Sequence, residues 1–118
     1  PDCFVSGEDT EYTLSNGTDI PLHHDLFDDD AIVLRDMARE VTLCSDDVHA
    51  VTIRYPQMRY LGIWHMPKTD APYVCIEPWL SLPAHAGRKA VLEEQEDLVA
   101  LAPGETYRNL WSIEIHNS

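Results

Sequence analysis

The chain has 118 residues, with 21 acidic against 8 basic side chains and a formal net charge of −13. A protein of this sign repels nucleic acid and anionic membrane surfaces, so neither is an expected partner. No apolar run approaches the roughly 20 residues of a membrane-spanning helix. The length fits one small domain, and a hydrophobic content of 44% can supply its core.

Cysteine usage indicates the redox compartment. Cys3, Cys44 and Cys75 are an odd number, and none of them is part of a CxxC pair. Free thiols are typical of reducing compartments, whereas small secreted domains usually carry paired cysteines. We therefore expect a cytoplasmic protein without a disulfide framework.

The first predicted element is a hairpin over residues 11–22. Its turn is Asn16-Gly17, a dipeptide that readily takes the positive φ angles of a tight turn. Short apolar stretches on both sides of the dipeptide suggest the two strands. This pattern carries structural information only.

Residues 23–30, HHDLFDDD, concentrate two imidazoles and four carboxylates. One interpretation is a solvated acidic turn that caps the following element. A second is a divalent metal site built on His23, His24 and the aspartates, although the spacing fits no recognised metal loop. A third is a contact with substrate. The residue types alone leave these three open.

Four further segments are predicted as strands. Residues 31–43 contain two short apolar runs, which we interpret as two strands joined by a turn. Residues 50–55 alternate with period two and should form a core strand. Residues 73–76 form another strand, which Pro78 should end or place at a sheet edge. The last strand covers residues 106–115, with Trp111 on an apolar face that we expect in the core.

Glu77 is the carboxylate with the most unusual setting. It shares one face of its strand with Cys75, directly before Pro78 and between Trp64 and Trp79 in sequence. Tryptophan beside a carboxylate is typical of sugar sites, where a ring face stacks and hydroxyl groups need acceptors. A glutamate at the solvated rim of a sheet gives the same pattern. Local pattern does not separate the two.

Three runs resemble a known family. LGIWHMP at residues 61–67, APYVCIEPW at residues 71–79 and LAPGETYRNLWSIEI at residues 101–115 are similar to the C-terminal part of the aldose 1-epimerase (galactose mutarotase) family, in its LacX-like branch. The resemblance extends over nearly the whole chain from about residue 22. It implies an all-β, antiparallel β-sandwich of the galactose mutarotase-like supersandwich type. Residues 1–118 would be the C-terminal part of one sugar-binding domain whose N-terminal half is missing.

The resemblance also implies an activity. Glu77 matches the family's general base, and Asp30 matches a hydroxyl-binding aspartate in an LF-x-x-D-A pattern. Trp64 and Trp79 would offer aromatic faces to a free aldohexose such as galactose or glucose. The reaction needs no metal and no organic cofactor. The family's catalytic acid, a histidine of the earlier half, has no matching position here, so the chain alone should be nearly inactive.

Alternatives to mutarotation remain. A carbohydrate-binding or regulatory module of the same fold would need no acid, because a fold does not determine an activity. A metal-dependent enzyme would use the imidazoles of residues 23–30. A glycosidase would need two suitably spaced carboxylates, which Asp30 and Glu77 would have to provide. Over residues 88–96 the residue types permit a helix, but the resemblance implies a loop and a strand, so we expect at most a short helix.

Overall fold

The structure, a computed structural model, describes residues 6–45 and 49–117. It confirms the all-β prediction, because the described residues form two antiparallel three-stranded sheets and one 3₁₀ turn. The strands are β1 (Ile32–Arg35), β2 (Glu40–Cys44), β3 (His49–Arg54), β4 (Tyr60–Trp64), β5 (Cys75–Trp79) and β6 (Ser112–Asn117). The 3₁₀ turn is Leu92–Glu94, which confirms that residues 88–96 form at most a short helix.

The first sheet has the order β1-β4-β5, with β4 in the centre. Residues of β4 alternate between the two faces, and Leu61 and Ile63 point into the core opposite Leu34 and Ile32 of β1. Leu61 is 1% exposed, and Phe27 and Tyr55 are as deeply buried beside the sheet. This sheet supplies Leu34, Leu61 and Ile63, three of the six buried residues of the core cluster among the described residues.

The second sheet has the order β2-β3-β6, and its two faces differ in chemistry. On the polar face, Arg54 lies between Glu40 at 2.5 Å and Glu114 at 2.6 Å. The hydrogen bond from Arg54 lowers the pKa of Glu114. On the other face, Val41 and Ile53 pack against the core of the first sheet. The two sheets thus share one apolar cluster.

The strands predicted between residues 31 and 76 are present, but their first and last residues differ from the predicted ones. The period-two segment is β3, and residues 31–43 contain the two predicted strands, β1 and β2. The strand placed at residues 73–76 is instead β5, which runs through Pro78 to Trp79. Proline is tolerated there because β5 is an edge strand, and edge strands are where sheets accept proline.

The C-terminal strand required a correction. β6 begins only at Ser112, and Trp111 is 58% exposed rather than part of the core. Ile113 and Ile115 share the apolar face of the second sheet but are 54% and 69% exposed. In the described part of the chain, β6 is an edge strand and that end of the face has no covering layer. The alternation of residues therefore predicted correctly that Ile113 and Ile115 share one face, but this face is exposed rather than buried.

The hairpin expected over residues 11–22 is reduced to its turn. Asn16 and Gly17 have φ angles of 53° and 74°, and the backbone N–H of Ser15 donates to the carbonyl of Asp19 at 2.8 Å. That pair is an isolated bridge without flanking strands. Few of these residues are even half-buried, so there is little packing to stabilise a longer ladder.

Two further observations concern the cysteines and the helix content. Cys44 is exposed and Cys75 is half-buried, and both are free thiols, whereas Cys3 lies outside the described residues. Over the described ranges, no helix is both long enough and apolar enough to cross a membrane.

Candidate functional site

The predicted site residues of β4 and β5 lie on one face of the first sheet. The strand register places Glu77 opposite Gly62, Trp79 opposite Tyr60, and Trp64 opposite Cys75. Directly opposed residues of antiparallel strands point to the same side. Each opposed pair forms a cross-strand row. The row of Gly62 and Glu77 therefore lies between the row of Tyr60 and Trp79 and the row of Trp64 and Cys75, on the face turned away from the buried Leu61.

Glu77 and Trp79 are in direct contact. The indole Nε1 of Trp79 donates a hydrogen bond to Oε2 of Glu77 at 3.2 Å, and both side chains are half-buried. Glu77 forms no ion pair with any residue that the structure describes. A neutral donor therefore orients the carboxylate, and no neighbouring cation competes for its remaining acceptor capacity.

Gly62 makes room for this contact. A Cβ atom added at Gly62 would lie 3.0 Å from Cζ2 and 3.2 Å from Cε2 of the Trp79 indole. The indole therefore lies across the backbone of Gly62, in the space where any other residue would have its side chain. A rigid ring cannot give way as a flexible side chain would, so the position of Trp79 depends on this glycine.

Gly62→Ala is expected to displace the Trp79 indole and lower the free energy of unfolding by about 1–3 kcal/mol, the usual cost of overpacking. Urea unfolding followed by circular dichroism measures the loss, and tryptophan fluorescence reports the displacement. In a cycle with Trp79→Phe, the double variant should lose less than the sum of the single variants, because the clash partner is smaller. Strict additivity would contradict this contact.

A cavity of about 720 Å³ lies against the same face. The sheet contributes part of its wall through Arg35, Tyr60 and Trp79, which lie in one cross-strand row, and through Val33 of the next row. Loop residues contribute the rest. The lining includes Val33, Arg35, Tyr60 and Trp79 from the sheet, and Gly7, Asp30, His85, Arg88 and Glu96 from the loops. Glu77 is not among the described residues that line it. Val33, which lies across Gly62 from Glu77, does line it, and Glu77 is connected to the lining through its hydrogen bond from Trp79.

The cavity brings together two of the four predicted site residues. Asp30 and Trp79 both line it, although they are 49 positions apart in sequence. Asp30 is exposed, and its Oδ1 accepts a hydrogen bond from the backbone N–H of Ala31 at 2.7 Å. Trp64 is half-buried in the row beyond Glu77 and does not belong to the described lining. The structure thus joins Asp30, Trp79 and, through its hydrogen bond, Glu77.

Tyr60 is a cavity residue that the sequence pattern did not reveal. Its hydroxyl donates to Oδ2 of Asp97, and Arg59 Nη1 lies 3.0 Å from Oδ1 of the same carboxylate. The Tyr60 hydrogen bond, followed by Arg59, holds the pKa of Asp97 below its ordinary 3.8. A lowered carboxyl pKa stabilises the fold above that ordinary value, and the contribution is lost as the pH falls below it. No local signal links Tyr60 to a partner 37 residues away.

The acidic segment at residues 23–30 forms turns. His23 and Asp25 are hydrogen-bonded side chain to side chain, which lowers the pKa of Asp25, and Asp28 Oδ1 accepts the backbone N–H of Lys68 at 2.8 Å. Within residues 6–45 and 49–117, no group of three or more His, Cys, Asp or Glu side chains is placed to hold a metal ion. These contacts support the interpretation as a solvated turn, with Asp30 at its cavity end.

Comparisons with protein-family models, with curated proteins and with solved structures found no match to this chain. The contacts around Glu77 and the motifs of residues 61–79 are therefore the basis for a functional assignment.

Proposed function

We propose that this chain is the base-carrying part of an aldose 1-epimerase, which interconverts the α and β anomers of a free aldohexose. The observation that carries the proposal is the hydrogen bond from the Trp79 indole to Glu77, because Trp79 lines a cavity that Asp30 also lines. A carboxylate, an aromatic ring and a second carboxylate are the groups that a sugar site needs.

The chemistry requires one base and one acid. Glu77 takes the proton of the anomeric hydroxyl while an acid protonates the ring oxygen, and the sugar ring opens to the aldehyde. Rotation of the carbonyl and closure on its other face give the second anomer. The proton transfers need positioned side chains only, so no metal or organic cofactor is required.

Substrate recognition divides between two kinds of contact. The Trp79 ring offers a flat apolar face to the C–H groups of a pyranose, and Trp64 offers another in the row beyond Glu77. Asp30 accepts hydrogen bonds from sugar hydroxyls. The cavity of about 720 Å³ falls in the range of roughly 300–1,000 Å³ that is common for small-molecule sites.

The architecture and compartment follow from the same proposal. We infer that the two sheets are the C-terminal part of a galactose mutarotase-like supersandwich, with the N-terminal half of the domain as their partner. The motifs of residues 61–79 support this, together with the all-β fold. The free thiols of Cys44 and Cys75 favour a reducing cytoplasm.

Polarimetry of the complete protein on freshly dissolved galactose and glucose tests this function. We expect the approach to anomeric equilibrium to be faster than the spontaneous reaction, in proportion to enzyme concentration. Heat-denatured protein at the same concentration is the control. Rates equal to the spontaneous one on both sugars, and on a wider panel of free aldoses, would overturn the proposed activity.

A carbohydrate-binding module without catalysis is the second candidate. It is favoured by one observation: Asp30 and Trp79 line the cavity, whereas Glu77 is not among the described residues that line it. Binding measured by quenching of tryptophan fluorescence, without any acceleration in polarimetry, would identify that module.

A further inference from the structure

Arg35 is the one basic side chain that the described part of the sheet contributes to the candidate cavity. It is the last residue of β1, and the strand register places it opposite Tyr60, which in turn lies opposite Trp79. All three side chains line the cavity, and directly opposed residues of antiparallel strands point to the same side. Arg35 therefore shares one cross-strand row and one cavity wall with the ring that is proposed to stack against sugar.

The Trp79 indole lies closer to β1 than the backbone of its own strand does. A Cβ atom added at Gly62 of the central strand would lie 3.0 Å from the indole, so the ring extends from β5 over β4. Val33 of β1 is the register partner of Gly62, and Arg35 follows Val33 by two residues on the same face. Neighbouring strands are about 4.8 Å apart. A sugar stacked on the indole would therefore lie within reach of a side chain as long as that of arginine.

Two carboxylates hold the guanidinium group of Arg35 without using all of its donors. Nη2 lies 2.5 Å from Oδ2 of Asp9, which also lines the cavity, and Nε lies 3.7 Å from Oδ2 of Asp36. The Arg35 side chain nevertheless remains 45% exposed. A guanidinium group has five N–H donors in a fixed plane, so donors remain for a ligand while the ion pairs limit where the group can lie.

The charges around Arg35 favour a neutral ligand. Asp9 and Asp36 compensate the positive charge of Arg35 locally. Over the described residues, the cavity lining carries four carboxylate groups against two guanidinium groups, those of Arg35 and Arg88. An anionic sugar would be repelled by these carboxylates, whereas a sugar hydroxyl can accept a hydrogen bond from Arg35 and donate one to a carboxylate.

We propose that Arg35 binds a hydroxyl group of a neutral aldose that stacks on Trp79. The inference rests on the proposed function, and it names a contact that neither the local sequence pattern nor the resemblance indicated. Asp30 and Glu77 are acceptors when they are ionised, and the indole N–H of Trp79 already donates to Glu77. Arg35 supplies the hydrogen-bond donor that the predicted site residues lack.

Arg35→Ala in the complete protein is expected to raise KM for galactose or glucose about 10- to 100-fold, the range of a lost hydrogen bond to a charged group, with kcat changed only a few-fold. Titration followed by tryptophan fluorescence should show the same loss of affinity. Arg54→Ala is the matched control, because Arg54 is also held by two carboxylates but lies on the second sheet. That variant should keep the wild-type KM and affinity.

Deoxy sugars distinguish a contact with the ligand from a structural role. The probes are the monodeoxy forms of the preferred sugar, each of which lacks one hydroxyl group. At least one of them should bind the wild-type protein about ten-fold more weakly than the parent sugar. Arg35→Ala should bind that form and the parent sugar about equally, because the donor for the missing hydroxyl is gone and the two losses are not additive.

The outcomes separate this inference from the proposed function. A wild-type protein that does not accelerate mutarotation overturns the proposed function, and sugar binding alone then tests Arg35. A wild-type protein that converts the sugar, while Arg35→Ala keeps the same KM and affinity, overturns only the role of Arg35. The same holds if Arg35→Ala weakens binding but still discriminates fully against every deoxy sugar, because Arg35 would then only support the cavity wall. Tighter binding of the corresponding uronic acid than of the neutral sugar would also overturn it, since Arg35 would then recognise a carboxylate.

Discussion

Glu77→Gln in the complete protein is expected to lower kcat for mutarotation by about 10² to 10⁴, or ~3–5 kcal/mol of activation free energy. Glutamine has the shape of glutamate, and its amide oxygen can accept the hydrogen bond from Trp79 Nε1 that the carboxylate accepts at 3.2 Å. The site geometry should therefore survive. Only proton abstraction is lost, so the change should appear in kcat rather than in KM.

The measurement is polarimetry corrected for spontaneous mutarotation, with sugar affinity followed by tryptophan fluorescence. Glu93→Gln is the matched control, because it makes the same change in charge at an exposed residue of the 3₁₀ turn. That variant should keep the wild-type rate. If Glu77→Gln kept full activity as well, Glu77 would have no part in the mechanism. If it lost sugar binding by the same factor, the carboxylate would be a ligand for substrate rather than a base.

Local spacing was sufficient to predict part of the fold. The segment over β3 was clear, because its alternation is regular and depends only on the direction of neighbouring side chains. The predicted strand at residues 73–76 ended before Trp79, so the hydrogen bond between Trp79 and Glu77 on one face depends on β5 continuing through Pro78, which the spacing did not predict.

Contacts between distant segments could not be predicted in the same way. Tyr60 and Asp97 are separated by 37 residues, and their contact depends on the course of the loop after β5. The space over Gly62 depends on the register between β4 and β5, which fixes where the Trp79 ring lies. The packing of the His85 ring against Gly7 also joins residues that no sequence pattern connects. Such features follow from the fold and not from local periodicity.

Trp111 illustrates a different limit. Its apolar neighbours Ile113 and Ile115 do share one face of β6, as alternation predicted. Burial requires a second layer over that face, and periodicity carries no information about the layer. The prediction for Trp111 was therefore wrong about its burial. The shared direction of the Ile113 and Ile115 side chains on β6 was predicted correctly.

Phe27→Ala is expected to lower the free energy of unfolding by about 3–5 kcal/mol, a large part of the ~5–15 kcal/mol that stabilises a typical domain. Phe27 is 1% exposed, and its ring lies 5.8 Å from that of His65, measured between centroids. Removing it leaves a cavity between the acidic turn and the first sheet. Urea unfolding followed by circular dichroism measures the change in midpoint and slope.

Leu92→Ala is the control for this experiment, because Leu92 is 68% exposed and a surface change usually stays within about 0.5 kcal/mol. Equal midpoints for the Phe27 and Leu92 variants would contradict the assignment of Phe27 to the core.

The position of Phe27 also has a consequence for the site. Asp30 follows it by three residues and lines the cavity, so we expect the packing of Phe27 to help to position Asp30. Phe27→Leu, which keeps an apolar side chain there, should therefore retain sugar binding better than Phe27→Ala under conditions where both are folded.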